Sequence, residues 1–292
     1  MSHQPGRAGA TLMLVGAAFG FSTIAIFTVL LANAGTPLLP AMLGRYVVAS
    51  LVLIPVAGGL AAMRLPRTRM LQLAGIGGLG QAAIAFLSLS ALEYISAATL
   101  VFLFYTFPAW VALRAVLLRT ERLTGIRLFS LALSFGGVGV MVGWPGAESV
   151  HPLGAGLALS AAVVYALFIP LIDRLRAGIS ATVATAWVAV GATLIFLVAA
   201  VVARDLAVPA STLSWLYILG LGTVSTAVAF TLFLRGLQVL GPVSAAIITT
   251  AEPFFVATLA ALFLGQPITP QTVIGGSLIA IAVLVLQRSM RG

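Results

Sequence analysis

The stretch SAAIITTAEPFFVATLAALFLGQPIT, Ser244 to Thr269, decides how this chain is read. It is an apolar run with a Glu252-Pro253 pair set in its middle. Taken as a membrane span from about 242 to 264, its midpoint falls on those two residues. A carboxylate at that depth costs roughly 2.5–3.5 kcal/mol even on a lenient insertion scale. The proline beside it removes one helical donor and leaves the Thr249 carbonyl without its usual partner. Acid and freed backbone are tolerable together where they face a protein-lined, watery cavity rather than lipid. The pattern implies a helix that lines a transport path.

The stretch has an echo. A shift of 145 residues aligns Pro253 with Pro108 in TLVFLFYTFPAWVALRAVLLRTERLT, Thr99 to Thr124, without a gap. Val111 then meets Val256, Ala115 meets Ala260, Leu117 meets Leu262 and Thr124 meets Thr269. The same shift pairs Gly9 with Gly154, Gly75 with Gly220, Gly77 with Gly222 and Leu92 with Leu237. A constant offset that also matches the prolines predicts a duplication, residues 1–146 and 147–292.

Composition sets the class. The residues are 61% apolar and 7% charged, with a mean hydropathy of +1.18, whereas a soluble domain is about a quarter charged. The net charge of +9 comes from fifteen arginines, with no lysine, against six acidic residues. With no cysteine there is no disulfide, thiol chemistry or cysteine metal site. The two histidines, His3 and His151, fall in the N-terminal tail and a connector, so neither a metal nor another cofactor is expected.

The chain reads as all-α and integral to a membrane, with ten spans near 8–32, 38–60, 69–91, 96–118, 124–143, 152–174, 180–203, 211–234, 242–264 and 270–288. Each approaches the roughly 20 residues needed to cross the hydrocarbon. The first is too long for the core of a signal peptide. Turn residues mark the connectors, among them Asn33 to Pro37, Leu65-Pro66, Trp144-Pro145-Gly146 and Gly241-Pro242.

Arginine sets the orientation. The even-numbered connectors hold Arg64, Arg67 and Arg69, then Arg119, Arg122 and Arg127, then Arg174 and Arg176, then Arg235; the termini add Arg7, Arg288 and Arg291. The odd-numbered ones hold almost none, Arg204 excepted, with Arg45 inside the second span near its outer end. Both termini are therefore expected in the cytoplasm, and the charge is a topology signal rather than a nucleic-acid footprint. Five spans per half is an odd number, so the second half enters the membrane inverted relative to the first. Carriers built this way hold their site near the midplane, between the repeats.

The candidate site is drawn from midplane positions: Phe21 and Ser22 of the first span, Gln81 of the third, Phe102 and Tyr105 of the fourth, Tyr165 of the sixth, Thr226 and Phe230 of the eighth, Thr249 and Glu252 of the ninth. Pro108, Pro170 and Pro253 are candidate gating kinks. Aromatic faces with a few converging polar groups suit a small amphipathic solute. Plainer roles stand beside these. Gly16 with Gly20, and Gly139 with Gly143, fit close helix packing within a chain or between copies. Trp144, Trp215 and Tyr217 fit an interfacial belt. Glu252 has three roles open to it: carrying a proton, touching solute, or capping the carbonyl that Pro253 leaves free. Its counterpart in the first half is Phe107.

These residues resemble the EamA family of the drug/metabolite transporter superfamily. The resemblance rests on Ala91 to Ala98 through Pro108 to Thr120-Glu121-Arg122-Leu123-Thr124, and on Gly236-Leu237 through Glu252-Pro253 to Gly265-Gln266-Pro267-Ile268-Thr269. Gln266 departs from the family's usual glutamate. The segment Phe104-Tyr105-Thr106-Phe107-Pro108 is most similar to the YddG-type exporters of aromatic amino acids. The resemblance implies ten transmembrane helices as two inverted five-helix repeats around a central midplane cavity. It further implies alternating-access export of aromatic and other neutral amino acids across a bacterial inner membrane, with a small-molecule substrate and the lipid bilayer as partners. A drug or nucleotide-sugar carrier of the same superfamily is the alternative; the latter would want deep basic residues, for which Arg45 and Arg114 read as too near the edges. A channel would want a sustained polar stripe, and no span shows one. An intramembrane enzyme would want a histidine or an acid pair in the bilayer, and no span supplies either.

Overall fold

The computed structural model describes residues 6–142 and 151–289 other than Leu92, Ser96, Arg122 and Ala210. His3, Gly143, the Trp144-Pro145-Gly146 turn and Arg291 lie outside the described residues, as do Leu92, Ser96 and Arg122. Every regular element among the described residues is helical. They are α1 (Arg7–Asn33), α2 (Leu38–Val56), α3 (Gly59–Ala62), α4 (Arg67–Leu71), a π-helical turn (Gln72–Gly77), α5 (Gly78–Ala91), α6 (Ala97–Phe104), α7 (Phe107–Leu117) and α8 (Gly125–Val142). Then follow α9 (Pro152–Leu175), α10 (Ala181–Ala203), α11 (Thr212–Gly222), a second π-helical turn (Thr223–Val228), α12 (Ala229–Thr249), α13 (Glu252–Leu264) and α14 (Pro270–Ser289).

Local chemistry sets the starts. Ser180 and Ser211 cap α10 and α11 by accepting the backbone N–H groups of Val183 and Ser214, each satisfying one of the free donors of a first turn. Pro152, Pro108 and Pro253 stand at first-turn positions, where no donor is needed. α12 is interrupted at Gly241 (φ 77°, ψ 167°), backbone angles that glycine alone adopts without strain.

Eight described helical segments are long and apolar enough to cross a membrane, while Gly125–Met141 and Glu252–Leu264 are apolar but shorter. The difference from ten separate spans has two physical sources. The segment Thr212–Thr249 runs through the Gly241 break and so joins the eighth span to the start of the ninth. The remainder of the ninth is the short helix α13. The outward surface is apolar, with Leu12, Leu51, Leu60, Val202 and Leu262 all at least two-thirds exposed, while the interior is rich in buried alanine. That inversion of the soluble pattern suits a lipid-embedded multi-pass protein.

Helix starts recur at the 145-residue shift: Arg7 and Pro152, Arg67 and Thr212, Phe107 and Glu252, Gly125 and Pro270. The packing recurs too, with partners exchanged between the halves. α1 packs on α12 and α13, α9 packs on α5 and α7, and α2 meets α10 as α8 meets α14. Gly20 makes way for Ala229 of α12, the packing role expected of the Gly16–Gly20 pair.

The connectors gather at two ends of the bundle. At one end Arg69 donates to the Leu175 carbonyl (3.1 Å), and Arg176 donates to Asp173 (2.5 Å) and Gln238 (3.3 Å). Glu121 there pairs with Arg127 (3.0 Å) and accepts the Val243 N–H (3.4 Å) just past Gly241. At the other end Thr36 donates to Ser214 (2.9 Å), and the rings of Tyr94 and His151 stack at 5.0 Å. Among the described residues the second, fourth, sixth and eighth connectors thus meet one another, and the first meets the start of α11 as the third meets the start of α9.

Candidate functional site

The fourth and ninth spans are each broken, not merely kinked. α6 ends at Phe104, Tyr105 and Thr106 form a tight turn, and α7 begins at Phe107-Pro108; α12 ends at Thr249, Thr250 and Ala251 turn, and α13 begins at Glu252-Pro253. In both turns the backbone tightens to three-residue hydrogen bonds, Thr106 N–H to Leu103 C=O and Thr250 N–H to Ile247 C=O, each 3.2 Å. The threonine hydroxyls turn back on the same carbonyls, each at 2.6 Å. Neither proline supplies the donor that would bridge the break. Such half-helix ends at membrane depth are where carriers expose backbone to solute.

An aromatic cluster fills the first break. Tyr165 of α9 approaches Phe107 at 4.7 Å and Phe104 at 5.6 Å between ring centres, and Tyr105 lies 5.7 Å from Phe104 and 5.8 Å from Phe107. Glu252, on the first turn of α13, faces this cluster. Its carboxylate interacts electrostatically with the Tyr105 and Tyr165 side chains. Glu252 is half-buried.

A second set of side chains surrounds a small cavity: Phe21 from α1, Arg45 and Tyr46 from α2, Gln81 from α5, Thr185, Val188 and Ala189 from α10, Ser225 and Thr226 from the second π turn, and Phe230 from α12. Its volume of about 20 Å³ holds a water or two, so a solute of amino-acid size enters only with helix movement. Arg45 is 8% exposed. Its Nε donates to Thr226 Oγ1 (2.7 Å), Nη1 lies 4.0 Å from Met42 Sδ, and the guanidinium sits 5.1 Å from the centre of the Tyr46 ring. The Thr226 hydroxyl in turn donates to the Leu221 carbonyl five residues back (2.8 Å), a spacing that the π turn creates. A ladder of rings, Phe21, Phe233, Phe230 and Phe168, runs beside the cavity at spacings of 6.0 to 6.2 Å. One contiguous core contains that ladder and the aromatic cluster, and Arg45 and Glu252 interact electrostatically across it.

The expected residues therefore sort into groups. Phe21, Gln81, Thr226 and Phe230 line the cavity; Tyr105, Tyr165 and Glu252 meet at the broken helices. Ser22 and Thr249 donate their hydroxyls to carbonyls of their own helices, Phe19 (2.5 Å) and Ala245 (3.0 Å). Phe102 packs on Phe135 of α8 at 5.5 Å. Pro108 and Pro253 mark the breaks, whereas Pro170 is buried within an uninterrupted α9. Arg45 and its neighbour Tyr46 belong to the site and were not expected there. The signal was present: an arginine inside a span marks a functional position by default. The sequence reading placed it inside the second span near its outer end; it lies seven positions into α2, about 10 Å along the axis.

Comparison with known proteins follows the same division of the chain. The family model of the EamA-like transporter family matches residues 8–143 and again 152–288. A protein of Archaeoglobus fulgidus described as an uncharacterized transporter is 36% identical over 75 residues, which is 26% of this chain and 28% of that protein. The match thus spans just over a quarter of that relative's length. A solved structure described as "Crystal structure of protein" superposes with a TM-score of 0.82 at 21% identity, covering 98% of this chain and all of that one. It shares the fold.

Proposed function

This chain is a member of the EamA-like transporter family, and on that premise we propose that it is a secondary carrier exporting small amphipathic solutes, aromatic and neutral amino acids foremost, by alternating access. The observation that carries this reading is the convergence of two broken helices, four aromatic side chains and one carboxylate, joined through one apolar core to a cavity lined by both halves of the chain. The aromatic faces hold the solute's side chain, and the polar groups meet its other end. The Phe104 to Pro108 segment, similar to the YddG type, supports the choice of aromatic amino acids.

In this reading the chain crosses the membrane ten times, as two five-helix repeats of inverted topology. Supporting it are the helix starts 145 residues apart, the exchanged helix pairings and the segregation of connectors to two ends. Gly236 of α12, beside Arg235, abuts Ala10 and Leu14 of α1, which supports an N-terminus at the arginine-rich end. The excess of arginine makes it the cytoplasmic side of a bacterial inner membrane. Closure on either side occurs where α6 meets α7 and α12 meets α13, since a broken helix bends without losing further hydrogen bonds.

The test is uptake of labelled phenylalanine into proteoliposomes, with and without an imposed pH gradient, beside Glu252→Gln. Saturable uptake is expected. If it needs the gradient and is lost in Glu252→Gln, that acid is the coupling site; if it needs no gradient and survives the substitution, the carrier is facilitative. Absence of uptake by folded protein in either condition overturns the amino-acid assignment and favours a drug or nucleotide-sugar solute.

A further inference from the structure

We propose that Arg45 binds the anionic end of the transported solute, a carboxylate, and thereby sets a requirement for that group. The inference rests on the carrier reading and adds the chemistry of one subsite to it.

Three observations carry it. First, Arg45 is over nine-tenths buried on a membrane helix, yet among the described residues no carboxylate forms an ion pair with it. A guanidinium has five N–H donors; here one is held by Thr226 and one lies against a methionine sulfur. A buried cation left so lightly partnered is costly, and a fold retains it where something else completes its coordination. Second, the head group is pre-positioned. The Nε bond to Thr226, whose own hydroxyl is anchored on the π turn, and the Tyr46 ring fix the plane of the guanidinium. A fixed planar fork matches the two oxygens of a carboxylate, which a flexible ammonium does not. Third, the cavity beside it has the remaining parts of such a site. Gln81 offers a neutral amide, and Phe21 and Phe230 offer apolar faces, while the Ser225 and Thr226 hydroxyls are bonded to Thr23 and Arg45. Glu252 lies across the core, beyond ion-pair distance from Arg45. Two opposite charges held apart leave room between them for a solute, where a direct ion pair would close the space.

A merely structural Arg45, serving only to tether the π turn, would make a different prediction. Its removal would weaken every ligand alike, whereas a carboxylate-binding Arg45 discriminates between ligands that differ only in that group.

The experiment compares binding of phenylalanine and phenylalaninamide to the purified full-length protein by titration calorimetry, for the wild type, Arg45→Gln and Arg45→Lys. The wild type is expected to bind the amide roughly 10- to 100-fold more weakly, the scale of a lost charge-assisted pair of hydrogen bonds. Arg45→Gln should bind the two ligands with equal affinity, and Arg45→Lys should keep part of the preference. Equal affinity of both ligands for the wild type overturns the Arg45 assignment and leaves the carrier reading standing. Full discrimination retained in Arg45→Gln overturns it likewise. Should Arg45→Gln fail to fold, the wild-type comparison and Arg45→Lys still decide. Binding of neither ligand overturns both readings.

Discussion

Gly191→Ala is expected to remove the protein from the folded, monodisperse fraction in detergent, or to lower its melting temperature by many degrees. α10 crosses the first π turn at Gly191 so closely that an added Cβ would lie 1.8 Å from the Ala74 carbonyl oxygen and 2.8 Å from the Ala74 Cα. The approach is mutual, since a Cβ on Gly78 would lie 2.5 Å from the Gly191 carbonyl carbon. The obstacle on both sides is backbone, so no rotamer change relieves it. Overpacking in cores costs about 1–3 kcal/mol and more where nothing yields, and this site belongs at or above the upper end. The damage also reaches the site: Gln81 lies one turn beyond Gly78, and Val188 and Ala189 lie just before Gly191, all on the cavity wall. Gly156→Ala in α9 is the control, since an added Cβ there meets nothing within 4 Å. Size-exclusion profiles and thermal melts of the two variants check the prediction; a Gly191→Ala protein that melts with the parent contradicts the close crossing.

The second large effect concerns the two buried charges. Glu252→Gln and Arg45→Gln are each expected to destabilise by roughly 1–3 kcal/mol, because each leaves the opposite charge in the interior without its counterpart. The double variant should be more stable than the sum of the two losses predicts, with a coupling on the order of 1 kcal/mol. The local partners, Tyr105 at position 252 and Thr226 at position 45, are present whether or not the opposite charge is, so the cycle isolates the interaction across the core. Thermal or denaturant melts in one detergent give the cycle. Strict additivity would show that the charges do not sense each other.

How much of this was legible in the sequence depended on what each signal measures. Long apolar runs report burial in lipid directly, so α1, α2, α9 and α10 were readable to within a few residues of their observed bounds. The proline alignment of Pro108 with Pro253 was legible for the same local reason: proline removes a donor wherever it stands. That the result is a full break was not legible. It lies in the backbone tightening to three-residue hydrogen bonds at Thr106 and Thr250, a register that a proline two or three residues on does not dictate. The π turns escaped as well, since the apolar pattern through Gln72–Gly77 and Thr223–Val228 is that of an ordinary helix and only the hydrogen-bond register differs.

The site shows the same division. Glu252 stood out because an acid amid apolar residues is costly anywhere; its electrostatic contact with Tyr105 and Tyr165 joins three segments far apart in sequence. Phe102 shows the opposite case: beside Phe104 and Tyr105 in sequence, it points to α8, since neighbours on a helix face different ways. The burial of Arg45 comes from α10 and the second π turn packing over α2, which its position along the chain does not reveal. Contacts between segments far apart in sequence are the part that no local pattern announces.

The central claim is that solute moves by alternating exposure of one site between the two halves, and counterflow tests it most directly. Proteoliposomes loaded with excess unlabelled phenylalanine are placed in a trace of labelled phenylalanine, and internal label is followed in time. Alternating access predicts a transient accumulation of label above its external concentration, together with saturation of the initial rate. Label that merely equilibrates, at a rate linear in concentration, would contradict the carrier account and show an open path through the bundle.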